Sequence, residues 1–185
     1  MFIMKSIIIP FILVFSLLFS CGKNESPYQN NYSVEDKLKF INLILKFYVE
    51  DSLVCNNLNK RLDWNSFKST LYSEERLLLK KYAPNMKRED IESQMGSFVL
   101  NEEHNKFLPN YKFFDEEIES QSDTIQNLKN NIYYTTMPIF TYDGNYAFVG
   151  FSEVSGFLSG HGEIIVFERK GKSWREVERE NIWIH

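Results

Sequence analysis

After Pro109, short apolar runs alternate with turn signals, and this pattern constrains the fold more than any other feature of the chain. Asp143-Gly144-Asn145 separates two apolar runs and predicts a β-hairpin. Lys170-Gly171-Lys172 predicts a second tight turn. Between these turns, Ile164–Phe167 is an unbroken apolar row, which is typical of a strand covered on both faces. We therefore expect the C-terminal part of the chain to form an antiparallel β-meander.

The pattern before Pro109 is helical. Ser33-Val34-Glu35-Asp36 predicts the start of a helix, because the Ser33 hydroxyl can accept the Asp36 backbone N–H and two acids lie in the first turn. Apolar residues then cover most of the helix circumference as far as Val49. This first helix should therefore be central and largely buried.

Two more helices are predicted before the strands begin. One is capped by Ser73 and must end before Ala83-Pro84, since the residue before a proline is pushed out of the helical region. The other runs from about Lys87 to Lys106. Helices followed by a meander predict an α+β domain over residues 33–185, with N-terminal helices packed on one face of a C-terminal antiparallel β-meander.

The N-terminal segment has the organisation of an export signal. Lys5 is followed by an apolar run from Ile7 to Leu18 and then by Leu18-Phe19-Ser20-Cys21. Residues 1–20 resemble a bacterial lipoprotein signal peptide, and the last four of these residues resemble a lipobox. The resemblance implies cleavage before Cys21, a diacylglycerol thioether on its thiol and a further acyl chain, such as palmitate, on its freed amine. Several chains imply a permanent lipid anchor.

This resemblance implies a location in the bacterial cell envelope, with the outer membrane favoured, on either its periplasmic or its surface face. The alternatives are an uncleaved membrane anchor and ordinary core. A spanning helix needs about 20 apolar residues, whereas this run is shorter and is interrupted by Pro10 and Ser16. Residues 21–32 are polar after Cys21 and are expected to form a flexible tether.

Charge and size narrow the classes of protein further. Removal of residues 1–20 takes away Lys5 and changes the formal net charge from −4 to −5. Lys and Arg form no long stripe, so no nucleic acid partner is expected. About 165 residues remain, which is the usual size of one domain with a real core.

Segments of the last fifty residues carry a second resemblance. Pro138-Ile139-Phe140, the Asp143-Gly144 turn, the glycine-rich stretch and the turn before Trp174 resemble the ends of small lipoproteins of uncharacterised function from Bacteroidetes. The likeness covers roughly residues 137–185. It implies a shared fold and origin and carries no activity.

The cysteine count excludes an internal disulfide framework. The chain has two cysteines, and lipidation of Cys21 leaves Cys55 without an intramolecular partner. Cys55 continues an apolar helical series and is interpreted as a buried thiol, with an intermolecular disulfide and a nucleophile as alternatives. Asp51-Ser52-Leu53 and Asp123-Thr124-Ile125 resemble the O-glycosylation tripeptide of some Bacteroidetes.

Catalytic motifs are absent from the sequence: it lacks G-x-S-x-G, H-E-x-x-H, C-x-x-C, a P-loop and a calcium loop. The best remaining group is Glu153, His161 and Glu163, on a Gly/Ser-rich stretch predicted to be a loop from Glu153 to Gly162. The stretch is interpreted first as a structural loop; a binding loop formed by these three residues, and an acid/base pair or half of a metal site, are the alternatives. No metal site or cofactor is expected, and the acidic stretch from Asp115 to Asp123 is expected to be solvated.

Three functions follow from these observations. The first is a membrane-anchored envelope lipoprotein whose non-catalytic domain binds a protein or glycan or serves assembly. The second is an immunity or inhibitor lipoprotein directed against a toxin or hydrolase. The third is an enzyme that uses His161 and Glu163.

Overall fold

The computed structural model describes residues 32–49, 56–74, 77–115, 131–155 and 159–184. The signal segment, Cys21 and the tether up to residue 31 lie outside these residues, as do Ser52, Cys55 and Thr124. The described part begins at Tyr32, whose ring stacks on that of Phe140 with the centroids 3.8 Å apart. Tyr32, the last residue of the predicted tether, therefore packs against the folded domain.

Helix α1 spans Val34–Tyr48 and begins where the sequence predicts. Ser33 Oγ accepts the Asp36 N–H at 3.1 Å, and Asp36 Oδ2 accepts the Ser33 N–H at 3.0 Å. This reciprocal pair satisfies two N–H groups that would otherwise lack a partner at the helix end. The apolar side is buried through Leu38, Phe40, Ile41, Ile44 and Leu45. The helix forms as expected, but it is buried on one side only, since Val34 and Phe47 are exposed.

The remaining helices are short. They are α2 (Lys68–Leu71), α3 (Leu78–Tyr82), α4 (Arg88–Gln94) and a 3₁₀ turn (Glu102–His104). The helix predicted after Ser73 starts only at Leu78, because Leu77 adopts a left-handed conformation with φ of 52°. Among the described residues, no helix is both long and apolar enough to cross a membrane.

The predicted helix from Lys87 to Lys106 is wrong beyond Gln94. Glycine is a poor helix former, and the chain leaves the helix just before Gly96. It then enters strand β3 (Phe98–Val99), which pairs antiparallel with β2 (Arg61–Leu62) in a separate two-stranded sheet. Pairing with a distant strand has overridden the local helical pattern.

The described residues also form a seven-stranded sheet. Its strands are β1 (Asn56–Asn59), β4 (Tyr111–Phe114), β5 (Ile132–Thr135), β6 (Ile139–Phe140), β7 (Tyr146–Ser155), β8 (Ser159–Lys170) and β9 (Ser173–Ile184). The order is β4-β1-β5-β7-β8-β9, with β6 also paired to β7. β1 runs parallel to β4 and β5, and the other pairs are antiparallel. The domain is therefore α+β with a mixed, mostly antiparallel sheet.

Helices cover both faces of this sheet, whereas the sequence predicted one face. Successive residues of a strand point to opposite faces. On β8, Ile165 and Phe167 belong to the apolar core that contains α1. Ile164 and Val166 belong to a second core with the buried residues of α2, α3 and α4. The prediction that Ile164–Phe167 is covered on both faces is confirmed, and the short helices supply the second cover.

Candidate functional site

The three residues selected from the sequence lie in strands, so the loop predicted from Glu153 to Gly162 is wrong. β7 continues to Ser155, β8 starts at Ser159, and Glu153 stands opposite His161 in the antiparallel register. His161 and Glu163 share the face of β8 that looks towards α1. The structure therefore brings the three residues together on one face of the sheet, within a long hairpin.

Glu163 is the only one of the three that is fully buried, with 2% of its side chain exposed. Arg179 Nη1 lies 3.2 Å from Glu163 Oε1 and donates a hydrogen bond of 3.3 Å to Oε2. Oε1 itself accepts no hydrogen bond. Burial raises the pKa of the Glu163 carboxyl, while the charges of Arg179 and His161 oppose the rise.

Arg179 connects three elements. Its Nε and Nη2 donate to the two carboxylate oxygens of Glu176 at 2.9 and 2.8 Å, and its guanidinium lies 4.7 Å from the ring centroid of Tyr48. The Tyr48 hydroxyl donates to Glu176 in turn. We call Tyr48, Glu163, Glu176 and Arg179 the Arg179 network. It ties the end of α1 to β8 and β9.

The electrostatics of the network follow from burial and from these bonds. The hydrogen bonds from Arg179 lower the pKa of Glu176, and Tyr48 adds to this. Burial, and then the bond to Glu176, raises the pKa of the Tyr48 hydroxyl. The same carboxylate is the main cause that raises the pKa of Arg179. The lowered pKa of Glu176 and the raised pKa of Arg179 keep both groups charged at neutral pH.

The chemistry open to this network is limited by access. A general acid or base must reach the reacting atom to within hydrogen-bonding distance. Glu163 is buried and engaged by Arg179, while Glu153 accepts hydrogen bonds from Asn131 and from Ser155 Oγ, the latter at 3.1 Å. The His161 ring, partly exposed, lies 6.2 Å from that of Phe151. The arrangement favours a role in fastening the strands to α1.

No metal centre accompanies these carboxylates in the part of the chain that the structure describes. No group of three or more His, Cys, Asp or Glu side chains there is placed to hold a metal ion. His104 serves another purpose, since its Nδ1 accepts the Asn101 N–H at 3.0 Å and caps the 3₁₀ turn.

A cleft of about 490 Å³ lies on the opposite face of the sheet. Ligand pockets commonly have volumes of about 300–1,000 Å³. The sheet contributes side chains from β1, β5, β7 and β9, namely Asn59, Tyr134, Ser152, Val154 and Trp183. The other wall is Lys60, Arg61, Asp63, Ser66, Phe67 and Asp115. We call this the Trp183 cleft.

The wall opposite the sheet is held in place by local bonds. The Lys60 N–H donates to Phe114 O at 2.9 Å, and the Arg61 N–H donates to Asn59 Oδ1 at 2.8 Å. The Lys60 ammonium forms an ion pair with Asp115. These contacts join the turn after β1 to the end of β4. The cleft is thus built from segments that are distant in sequence but adjacent in the sheet.

Sequence reasoning missed the Trp183 cleft. Its residues come from five separate segments, and none of them forms a motif. One signal was present: Gly160 and Gly162 are two residues apart, so in a strand they lie on the same face. Glycines in a strand often mark a place where another group approaches the backbone closely.

Comparison with known protein families, with curated proteins and with solved structures found no match. A fold alone does not determine a function. Any functional conclusion for this chain therefore depends on its own sites.

Proposed function

We propose that this chain is a lipid-anchored protein of the bacterial cell envelope, whose single domain, residues 33–185, binds an envelope component in the Trp183 cleft without chemical conversion. The cleft is the observation that carries the proposal. It is concave, and aromatic, charged and neutral polar side chains converge on it. Ligand sites are likewise concave and combine aromatic side chains with convergent polar groups.

The anchoring part of the proposal is supported by residues 1–21. Lys5, the apolar run and Ser20-Cys21 resemble a lipoprotein signal, and acylation of Cys21 would hold the domain at a bilayer. The outer membrane is the location that we favour. A short tether would keep the cleft close to that membrane and to whatever it carries.

The concave site also separates this proposal from the alternatives. An inhibitor of a hydrolase would be expected to present a protruding segment to the enzyme, whereas the feature described above is a cleft. An enzyme built on His161 and Glu163 would need an accessible acid, and Glu163 is buried. Ligand binding is therefore the function that the geometry supports best.

Anchoring is tested by Cys21→Ser. We expect an unprocessed precursor that keeps residues 1–20 and incorporates no labelled fatty acid, because the only thiol in the lipobox is gone. Cys55→Ser is the matched control and should behave like the wild type. Unchanged fatty-acid labelling and an unchanged intact mass in Cys21→Ser would contradict the lipoprotein assignment.

Binding in the cleft is tested by photo-crosslinking in intact envelopes. Ser66 lines the Trp183 cleft and is exposed, so a benzophenone side chain at this position should capture an envelope component. The same group at Lys172, in the exposed turn between β8 and β9, is the control. Capture from neither position, or equal capture from both, would contradict the proposed binding site.

A further inference from the structure

The indole of Trp183 occupies space that glycines leave on the face of β8. A Cβ built on Gly162 would lie 2.3 Å from Trp183 Nε1, and a Cβ on Gly160 would lie 3.1 Å from Cζ3. The first distance is shorter than a real side chain tolerates, and the second is unusually tight. The glycines therefore let the ring lie this close to the strand, where it is partly exposed and lines the cleft.

A second ring of the cleft is placed in the same way. A Cβ on Gly150 of β7 would lie 2.6 to 2.8 Å from three ring atoms of Phe67. Phe67 is 4% exposed and packs edge-on against Trp64, whose Nε1 donates to Met137 O at 2.9 Å. Phe67 is therefore fixed before any ligand arrives. Preformed aromatic surface reduces the entropy lost on binding.

The charges around the Trp183 cleft balance. Lys60 and Arg61 contribute two positive charges, and Asp63 and Asp115 contribute two negative charges. Lys60 and Asp115 also pair with each other. A strongly anionic ligand would meet the two carboxylates, and a strongly cationic ligand would meet the ammonium and guanidinium groups. The balance favours a ligand without net charge.

The neutral polar groups exclude a purely apolar ligand. Ser152 and Ser66 also line the cleft, and Ser152 is only 5% exposed. An apolar molecule that covered these hydroxyls would offer them no hydrogen bond, which costs about 1–3 kcal/mol for each group left unsatisfied. The ligand must therefore combine an apolar surface with several hydroxyl or amide groups.

From this combination we infer that the Trp183 cleft binds a neutral saccharide, with one sugar ring against the indole. A pyranose ring presents C–H groups on a face and hydroxyl groups around its edge. The indole contacts the C–H face, and the serine hydroxyls and the charged groups bond the sugar hydroxyls. This inference rests on the proposed function, because it names the class of ligand for the same cleft.

The test is an NMR titration of the full lipidated chain in dodecylphosphocholine micelles, a detergent without a sugar headgroup. The probes are maltohexaose and tetra-N-acetylchitotetraose, added separately. The three tryptophans give three indole N–H signals. We expect a saturable shift of the Trp183 signal with at least one probe, while the Trp64 signal, from a buried ring, stays in place.

The matched variants are two glycine substitutions. Gly162→Ala places a methyl group where the indole stands and should weaken saccharide binding by about tenfold or more, equivalent to about 1.4 kcal/mol or more. Gly96→Ala is the control, since nothing lies within 4 Å of its added Cβ, and it should bind like the wild type. If Gly162→Ala does not fold, Trp183→Ala takes its place; because it lacks the Trp183 indole, its binding is followed through the backbone amide signals of Gly160 and Gly162, and it should lose binding to the same extent.

The outcomes separate this inference from the proposed function. The saccharide assignment is overturned if neither probe produces a saturable shift. It is also overturned if Gly162→Ala, or Trp183→Ala where the first variant does not fold, binds with the same affinity as the wild type. Specific crosslinking from Ser66 to an envelope protein, with neither saccharide bound, overturns the saccharide assignment but leaves the proposed function standing. If the probe at Ser66 also captures nothing, both the saccharide assignment and the proposed function are overturned.

Discussion

Arg179→Met should lower the free energy of unfolding by about 2–3 kcal/mol at neutral pH. The Glu163 side chain is 2% exposed, and Arg179 is the only positive charge within hydrogen-bonding distance of it in the described structure. The substitution therefore leaves a buried carboxylate without a partner of opposite charge. Breaking a fully buried pair costs about 3–5 kcal/mol. We expect less here because the Arg179 side chain is 37% exposed, so solvent already screens part of the interaction.

The loss in Arg179→Met should shrink as the pH falls. Burial raises the pKa of Glu163 above its ordinary value, so protonation favours the folded state, and the loss of Arg179 raises that pKa further. Glu176, whose pKa Arg179 lowers, stabilises the wild type only while it is ionised. The Glu163 effect narrows the difference in stability between variant and wild type as the pH falls from neutrality through the raised pKa of Glu163. The Glu176 effect adds to this only as the pH falls below about 4.3, the ordinary pKa of glutamate.

Urea unfolding at pH 7 and pH 5 measures this difference. Arg175→Met is the matched control on the same strand: Arg175 is 64% exposed and pairs with Glu168 at 2.9 Å, so its loss should cost less than about 1 kcal/mol. Adding Glu163→Gln to Arg179→Met should restore part of the stability, since a neutral amide replaces the buried charge. A loss that is equal at both pH values, with no rescue, would show that packing and not charge explains the effect.

Leu45→Ala should destabilise the domain by about 2–5 kcal/mol. Leu45 is completely buried in the last turn of α1, within the apolar core that also contains Phe151 and Ile165 of the sheet. The substitution removes apolar contacts and leaves a cavity that the rigid sheet cannot close. Thermal and urea unfolding both report the loss.

Phe47→Ala is the control for Leu45→Ala. Phe47 lies on the same helix but is 63% exposed, so its truncation should change stability by no more than about 0.5 kcal/mol. Equal destabilisation by the two substitutions would mean that α1 does not pack against the sheet through Leu45.

Elements set by local chemistry could be predicted from the sequence. The turns at Gly144 and Gly171 have φ of 66° and 63°, values that glycine adopts without strain, and both hairpins form as expected. The capping residues of α1 likewise carry their information within four positions. In each case the residues that decide the structure are neighbours in the chain.

Elements set by distant partners could not be predicted in this way. β1 has the sequence Asn-Asn-Leu-Asn, and asparagine is depleted in strands. It becomes a strand because it pairs in parallel with β4 and β5, with Asn57 opposite both Lys112 and Ile132. Nothing near Asn57 in the sequence indicates these partners. The short strand Phe98–Val99 was missed for the same reason.

The candidate site shows the same division. The sequence predicts a loop at Gly160 and Gly162. Glycine occurs both in loops and in strands that a large group approaches closely, so the residue type alone does not distinguish the two structures. Only the pairing of β9, whose Trp183 stands opposite Gly162, distinguishes the two cases. Glu153, His161 and Glu163 share a face because they lie in paired strands and not in the predicted loop. The bonds of Glu163 to Arg179 and of Glu153 to Asn131 depend on tertiary structure.

The terminal position of β9 in the sheet order has a consequence for crowding. A terminal strand can recruit a strand from another molecule and so begin aggregation. A lipid anchor would confine many copies of this domain to a single plane and raise the frequency of such encounters. β9 carries Arg175, Glu176, Glu178, Arg179 and Glu180 in close succession, and its pairing with β8 shifts register at two points. Charged, irregular edges resist further strand addition, so the domain could tolerate dense packing on a membrane surface.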